Sequence, residues 1–279
     1  MSAPPLLVVD GDSFAHRAFH ALPRSIRRAD GSAGNLLTGL VNMLLRLWEA
    51  ERPRAVFVGW DTLFVPTYRH EALPGYQAGR EFDPELLEQL DVAPGLLEAA
   101  GITCAKQAGY EADDFLAAAV AFERARGGSS LVATSDRDAF QLAASDVTIL
   151  QPVRGVSELA RIGPHEVRER YGVEPAQVPD FIALRGDPSD KIPGARGVGA
   201  KTAASLLAQY GGLDALLDEG RFSQEAEALK TYRRVATLDP TVPIPPLPDR
   251  DPDWRAGAAA ADKLGLGRLA GRLEDAASS

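Results

Sequence analysis

The sequence has one cysteine, Cys104, which excludes an internal disulfide framework. No stretch approaches the ~18 uninterrupted apolar residues of a membrane-spanning helix. The start, Met1, Ser2, Ala3, Pro4, Pro5, has neither a basic leader nor a long apolar run. A soluble, cytoplasmic protein is therefore expected. Basic excess is missing too: 39 acids against 30 Lys and Arg leave a net charge of −9, whereas proteins that grip phosphates normally carry a positive footprint. No Cys or His cluster has zinc-ligand spacing, and no segment repeats at a fixed period. What remains is enough to bury a core: 45% of the 279 residues are apolar, sufficient for one large α/β domain or a domain plus a smaller one.

Carboxylates are abundant and arranged. A short apolar run over residues 6–9 ends on Asp10, a second over 55–60 ends on Asp61, and a third over 130–133 runs into Thr134, Ser135, Asp136, Arg137, Asp138. Each reads as a buried strand. Helical patterns intervene over 35–49 and 113–126, so the strands should form a mostly parallel sheet, whose ligand site lies beyond the strands' carboxyl ends. One such aspartate is ordinary turn chemistry; three in succession point to a shared site. The segment Gly109, Tyr110, Glu111, Ala112, Asp113, Asp114 adds three carboxylates at a helix start. They can cap the helix and offset its dipole, or they can hold a multivalent cation that relieves their repulsion.

Two further stretches stand out. YRHEALPGYQAGR, residues 68–80, is a loop rich in cations that is either simply solvated or a mobile cover with Tyr68 or Tyr76 facing a strand of nucleic acid; an amphipathic helix follows over 81–98. Residues 178–211 carry a short helix to Arg185, Asp187 and Asp190 in a proline-bearing turn, then Gly194, Gly197 and Gly199 before a helix starting near Ala200. The glycines are not a P-loop, because Ala200 separates Gly199 from Lys201 and no strand precedes them. They fit a helix–hairpin–helix that either holds a phosphate through backbone N–H groups, Arg196 and Lys201 or serves packing alone. The proline-rich run DPTVPIPPLPDRDP reads as an extended spacer, and one or two short helices are expected over 258–273.

The ordered set VVDGDSFAHRAFHAL, WDTLFVPTYRHE, GYEADD, TSDRDAFQL, GDPSDKIPG, GARGVGAKTA and KLGLGRL resembles the bacterial 5′→3′ exonuclease and flap-endonuclease family, which includes the N-terminal nuclease domain of DNA polymerase I. Each motif is modest, but their order and spacing across nearly the whole chain are specific. The resemblance implies an α/β fold with a Rossmann-like (PIN-like), mostly parallel sheet flanked by helices, a helical arch, and a C-terminal helix–three-turn–helix DNA clamp. It divides the chain into a catalytic domain, 1–175, with an arch loop at about 66–98, and a DNA-binding subdomain with a helical tail, 176–279. Its first metal site falls on Asp10, Asp61, Glu111 and Asp113, with Asp114 beside it. The second falls on Asp138, Asp187 and Asp190, with Asp136 placed between the sites. Arg80 joins these as a catalytic residue. DNA contacts fall on Arg69, Tyr76, Gln77, Arg80, Gly194, Arg196, Gly197, Gly199, Lys201 and Thr202. The implied cofactors are two Mg²⁺ or Mn²⁺ ions, with a monovalent cation allowed at the glycine hairpin. Implied partners are DNA with 5′ flaps, nicks or ends, RNA primers in RNA/DNA hybrids, and a polymerase supplied by a separate chain or a missing domain. A monomer with no membrane partner is expected.

Two hard cations ~3.5–4 Å apart can activate a water and stabilise the departing oxygen of a phosphodiester, and carboxylates are the ligands such cations take. Setting aside the nine matched acids leaves 30 against 30 Lys and Arg, so acidic net charge does not exclude DNA. A junction-binding protein with weakened catalysis and a metal phosphatase for small substrates are the rival readings. The first is suggested by one departure: the family's tyrosine is commonly followed by lysine, and here Tyr76 is followed by Gln77. An amide donates hydrogen bonds but supplies no charge. Gln77→Lys is therefore expected to raise the single-turnover cleavage rate on the order of tenfold; an unchanged or lower rate would count against a charge deficit here.

Overall fold

The computed structural model describes residues 3–154 and 158–278. β1 (Leu6–Asp10) and β2 (Ala55–Trp60) are buried at every position, as their unbroken apolar runs require of strands covered on both faces. With β3 (Thr103–Lys106), β4 (Ser130–Ala133), β5 (Val147–Arg154) and β6 (Glu158–Ile162) they form one sheet in the order β3-β2-β1-β4-β5-β6. All neighbours are parallel except β5 and β6. The chain lays strands outward in one direction, returns to β4 beside β1, and then proceeds the other way. That reversal opens a crevice at the carboxyl ends of β1 and β4.

Strand periodicity splits the core in two. Leu7, Val9, Val56 and Val58 face one layer, and Leu6, Val8 and Phe57 face the other. The first layer holds α1 (Gly11–Ala21), α2 (Asn35–Glu51) and α4 (Pro84–Ala99). The leucines of α2, spaced by three and four, supply its buried stripe through Leu36, Leu37, Leu40 and Leu44. The second layer holds α5 (Ala112–Ala125) and the helical module α7 (Val178–Arg185), α8 (Ala200–Tyr210), α9 (Leu213–Asp218) and α10 (Ala226–Ala236). Short α3 (Tyr68–Ala72) and α6 (Pro164–Tyr171) complete the first 175 residues.

Two expectations change. Of the stretch 66–98 read as an arch, α4 is core, with Leu86, Leu90, Leu96 and Leu97 buried. The proline-rich run is a packed strap rather than a spacer: Val242 and Leu247 are buried. Arg54 Nη1 donates to Leu247 O at 3.1 Å and to Asp249 at 2.7 Å, while the same guanidinium pairs with buried Glu123. The strap returns the chain to the first layer, so α11 (Trp254–Lys263) and α12 (Gly267–Ala277) pack there through Trp254, Ala258, Leu269 and Leu273. No described helix is long and apolar enough to cross a membrane.

Leu273 is fully buried. Leu273→Ala is expected to cost ~2–5 kcal/mol in urea denaturation, as a cavity in a shared core would. A change within about 0.5 kcal/mol, the range of surface substitutions, would make the tail an appendage.

Candidate active site

Asp10 ends β1 and caps α1, accepting from Ser13 N at 2.9 Å and from Thr134 Oγ1 at 2.7 Å. That second bond crosses the crevice to the end of β4. Asp12, in the first turn of α1, accepts the backbone N–H of Asp61 at 2.7 Å, and Asp61 accepts that of Ala112 at 2.7 Å. A relay of carboxylates therefore ties β1, β2 and the start of α5. Gly59 permits it: a Cβ there would lie 2.8 Å from Ala112 O.

The acidic helix start divides by role. Glu111 caps α5, and its carboxylate accepts from Thr67 Oγ1 and Tyr76 OH, each at 3.0 Å. Asp114 is fully buried, bound by two bonds of 2.7 Å to the Arg69 guanidinium and by Asp239 N at 3.0 Å. Asp113 differs from both: its Oδ1 is buried with no hydrogen-bond partner. Enclosure raises its pKa well above the carboxylate range, and the charges of Asp136, Asp10 and Asp61 add to the effect. Burial likewise raises Asp10, Asp12 and Asp61.

Across the crevice, Asp136 N donates to Thr134 Oγ1 at 3.0 Å and Asp138 N to Asp136 Oδ1 at 2.9 Å, which fixes both acids in the turn after β4. Asp187 and Asp190 sit in the turn after α7, closed by mutual 2.8 Å backbone bonds between Asp187 and Ile192. Asp190 is pushed up to about 6, first by burial and then by Asp136. Its Oδ1 accepts from Arg80 Nη2 at 3.0 Å and Gln77 Nε2 at 3.1 Å. Asp10, Asp61, Glu111, Asp113, Asp136 and Arg80 line a hollow of about 310 Å³. Asp136, Asp138, Asp187 and Arg185 line a second of about 720 Å³. Asp136 belongs to both. Among the described residues no three Asp, Glu, His or Cys side chains are already drawn into a closed cage; most of these carboxylates turn to donors on their own scaffold. Hard oxygen donors that repel one another around a buried, unpartnered oxygen nevertheless suit a divalent cation.

Arg69 and Tyr76 are placed otherwise than expected of DNA contacts. Arg69 is 2% exposed and neutralised by Asp114, so it offers no free charge to a phosphate. Tyr76 is 4% exposed and spends its hydroxyl on Glu111. Gln77 stays beside the cleft, bridging Tyr76 OH and Asp190, and Arg80 is exposed. Gly194, Arg196, Gly197 and Gly199 lie in the connection between α7 and α8, Lys201 and Thr202 in the first turn of α8, and none of them lines either hollow. Gly194, at φ +75°, lies so close to Gly186 that a Cβ would fall 2.5 Å from its nitrogen. Arg196, Lys201 and Thr202 are exposed. Sequence reasoning passed over Asp12, Thr134 and Thr67. Asp12, two residues after the strand-terminal Asp10, carried a readable signal, while the two threonines had none.

A family model described as the 5′-3′ exonuclease N-terminal resolvase-like domain matches residues 5–172, and one described as the 5′-3′ exonuclease C-terminal SAM fold matches 173–250. The sequence is 35% identical to a 5′-3′ exonuclease of Streptomyces coelicolor, covering 96% of this chain and 98% of that one. It is 44% identical to DNA polymerase I of Mycobacterium leprae over 82% of this chain, but spans only 26% of that protein. Among solved structures, T5 5′-exonuclease with bound divalent zinc superposes with a TM-score of 0.71 at 19% identity, covering 98% of this chain and 99% of that one. The fold is thus a PIN-like resolvase domain joined to a SAM-like helical module.

The division within the acidic helix start is testable. Asp114→Asn strands the Arg69 charge in the interior and is expected to cost ~3–5 kcal/mol of unfolding free energy. Asp113→Asn removes one of several repelling charges and is expected to leave the denaturation midpoint unchanged or raise it. Equal losses in the two variants would sink the assignment.

Proposed function

The chain belongs to the 5′-3′ exonuclease family, and from that premise we propose that it is a structure-specific nuclease acting on DNA at 5′ flaps, nicks or ends with two bound Mg²⁺ or Mn²⁺ ions. The observation that carries this reading is the Asp113 oxygen, buried without a partner among Asp10, Asp61 and Asp136. Asp10, Asp61, Glu111 and Asp113 would hold one cation; Asp138, Asp187 and Asp190 the other, with Asp136 between. The chemistry such ions supply when bound is activation of a water and stabilisation of charge on the departing oxygen.

The chain's own residues hold and orient. Thr134 and Ser13 fix the Asp10 carboxylate, while Thr67 and Tyr76 fix Glu111, so these ligands need little reorganisation. Arg80, half-exposed at the cleft and held among the described residues by Asp190, can exchange that partner for a phosphate oxygen. Gln77 can donate to the same phosphate but adds no charge. The exposed glycine hairpin, with Arg196 and Lys201, suits a backbone phosphate further along the duplex. Recognition through phosphates is sequence-independent, as a nuclease that reads structure requires.

A 5′-flap duplex is expected to be cut near the junction in Mg²⁺ or Mn²⁺ and left intact in EDTA. Asp113→Asn should lower single-turnover cleavage on the order of 10²–10³-fold, the scale of a lost transition-state contact, while flap affinity in EDTA changes little. Metal-independent binding without cleavage would favour the junction-binding reading; full cleavage by Asp113→Asn at limiting metal would remove that residue from the ligand set.

A further inference from the structure

Phe64 lies in the loop after β2, three residues beyond Asp61, and is 76% exposed. Its φ of +65° is in the left-handed region that bulky side chains avoid, and strain of that kind persists where surroundings hold it for a purpose. The ring meets Phe82 edge to face, 5.8 Å between centroids at 88°. Phe82 in turn meets His16 of α1 at 5.9 Å and 56°. The three rings form a ledge. Leu63 and Phe82 are half-buried against the first core layer and anchor it, whereas Phe64 projects into solvent. The ledge borders the catalytic cleft: Phe64 and Phe82 bound a hollow of about 270 Å³ that also includes Asp61, Glu111, Gln77 and Arg80. An unshielded aromatic beside acids and an exposed arginine does not serve the core. Its flat apolar surface, next to groups that can position a phosphate, complements a nucleotide.

We propose that Phe64, braced by Phe82 and His16, is a stacking platform for an unpaired nucleobase adjoining the scissile phosphate. This rests on the nuclease reading and adds a contact to the base itself. Every base has a π-face, so stacking is sequence-tolerant, and it favours a strand whose base is already unpaired over one that must first be unstacked. Arg80 would take the phosphate and Phe64 the base of the same strand.

The test uses 5′-flap duplexes with 2-aminopurine at single positions across the junction, titrated with the full chain in EDTA so that binding is read without cleavage. Wild type and Phe64→Trp should quench the probe at one unpaired position. Phe64→Ala should not, and should bind the flap ~5- to 150-fold more weakly, the range for one stacked base. An abasic site at that position should erase the difference between the variants. Equal quenching and affinity for wild type and Phe64→Ala, in a protein that binds and cuts flaps, overturns the platform alone. An affinity loss that survives the abasic site assigns Phe64 to loop structure or a protein partner and also overturns it. Wild type that neither binds nor cuts the flap overturns the nuclease reading and the platform together.

Discussion

A buried ion pair holds the cleft together. Arg69 and Asp114 meet through two 2.7 Å bonds with almost no exposure to water, and each spends its remaining capacity on a different segment. Arg69 Nε donates to Val235 O at 2.9 Å, and Asp114 accepts from Asp239 N at 3.0 Å. Helix α3, the start of α5 and the end of α10 are thus clamped around one pair of charges. Such a pair contributes little net stability, because desolvation offsets the Coulombic gain, but losing either partner leaves a charge in the interior. Its value is positional. Glu111 lies on the same turn as Asp114, and Thr67, two residues before Arg69, orients it.

Around that clamp the scaffold tolerates a concentration of like charge that a flexible loop would disperse. Asp10, Asp61 and Asp136 stand at strand ends, where a sheet buried on both faces leaves no freedom to retreat. The backbone N–H groups of Ser13, Ala112 and Asp138 meet three of the carboxylates and partly offset burial. Among the described residues, Asp113 Oδ1 receives none. Burial and like charge thus converge on Asp113, while the hydrogen bonds to Asp10, Asp61 and Asp136 hold the carboxylates around it in place.

What could be read in the sequence follows from how local its causes are. Asp10, Asp61 and Asp136 were legible because an apolar run and its terminal carboxylate are adjacent in the chain. The helices over 35–51 and 112–125 were legible from periodicity. Arg69 was misread because a cation in a polar loop looks solvated, while the carboxylate that buries it lies 45 residues away. Tyr76 was misread for the same reason, its partner Glu111 being 35 residues distant. β3, with the sequence TCAK, is half-polar because it is an edge strand, and β5 carries Gln151 and Pro152, so neither shows a clean strand pattern. The strap over 239–252 looked like a spacer because its anchors, Arg54 and Glu123, belong to other parts of the chain.

The acidic net charge, which first seemed to argue against nucleic acid, separates two tasks in space. Carboxylates fill the hollows, where chemistry on a phosphodiester would be impossible without cations to reverse the local sign. Among the exposed cations, Arg80 lines the first hollow paired with Asp190, whereas Arg196 and Lys201 stand outside both, just before and at the start of α8. The fold keeps the hairpin out of both hollows. On the proposed reading, a backbone phosphate held at the hairpin and chemistry in the hollows would depend on different groups. Gln77 sits on the boundary, with its side chain held between Tyr76 and Asp190. An uncharged residue there leaves the neighbouring Arg80 as the cation in contact with Asp190. On the proposed reading, the charge brought to a phosphate in this part of the cleft would be set by how readily Arg80 leaves that carboxylate, a competition between Asp190 and substrate rather than a fixed property of the loop.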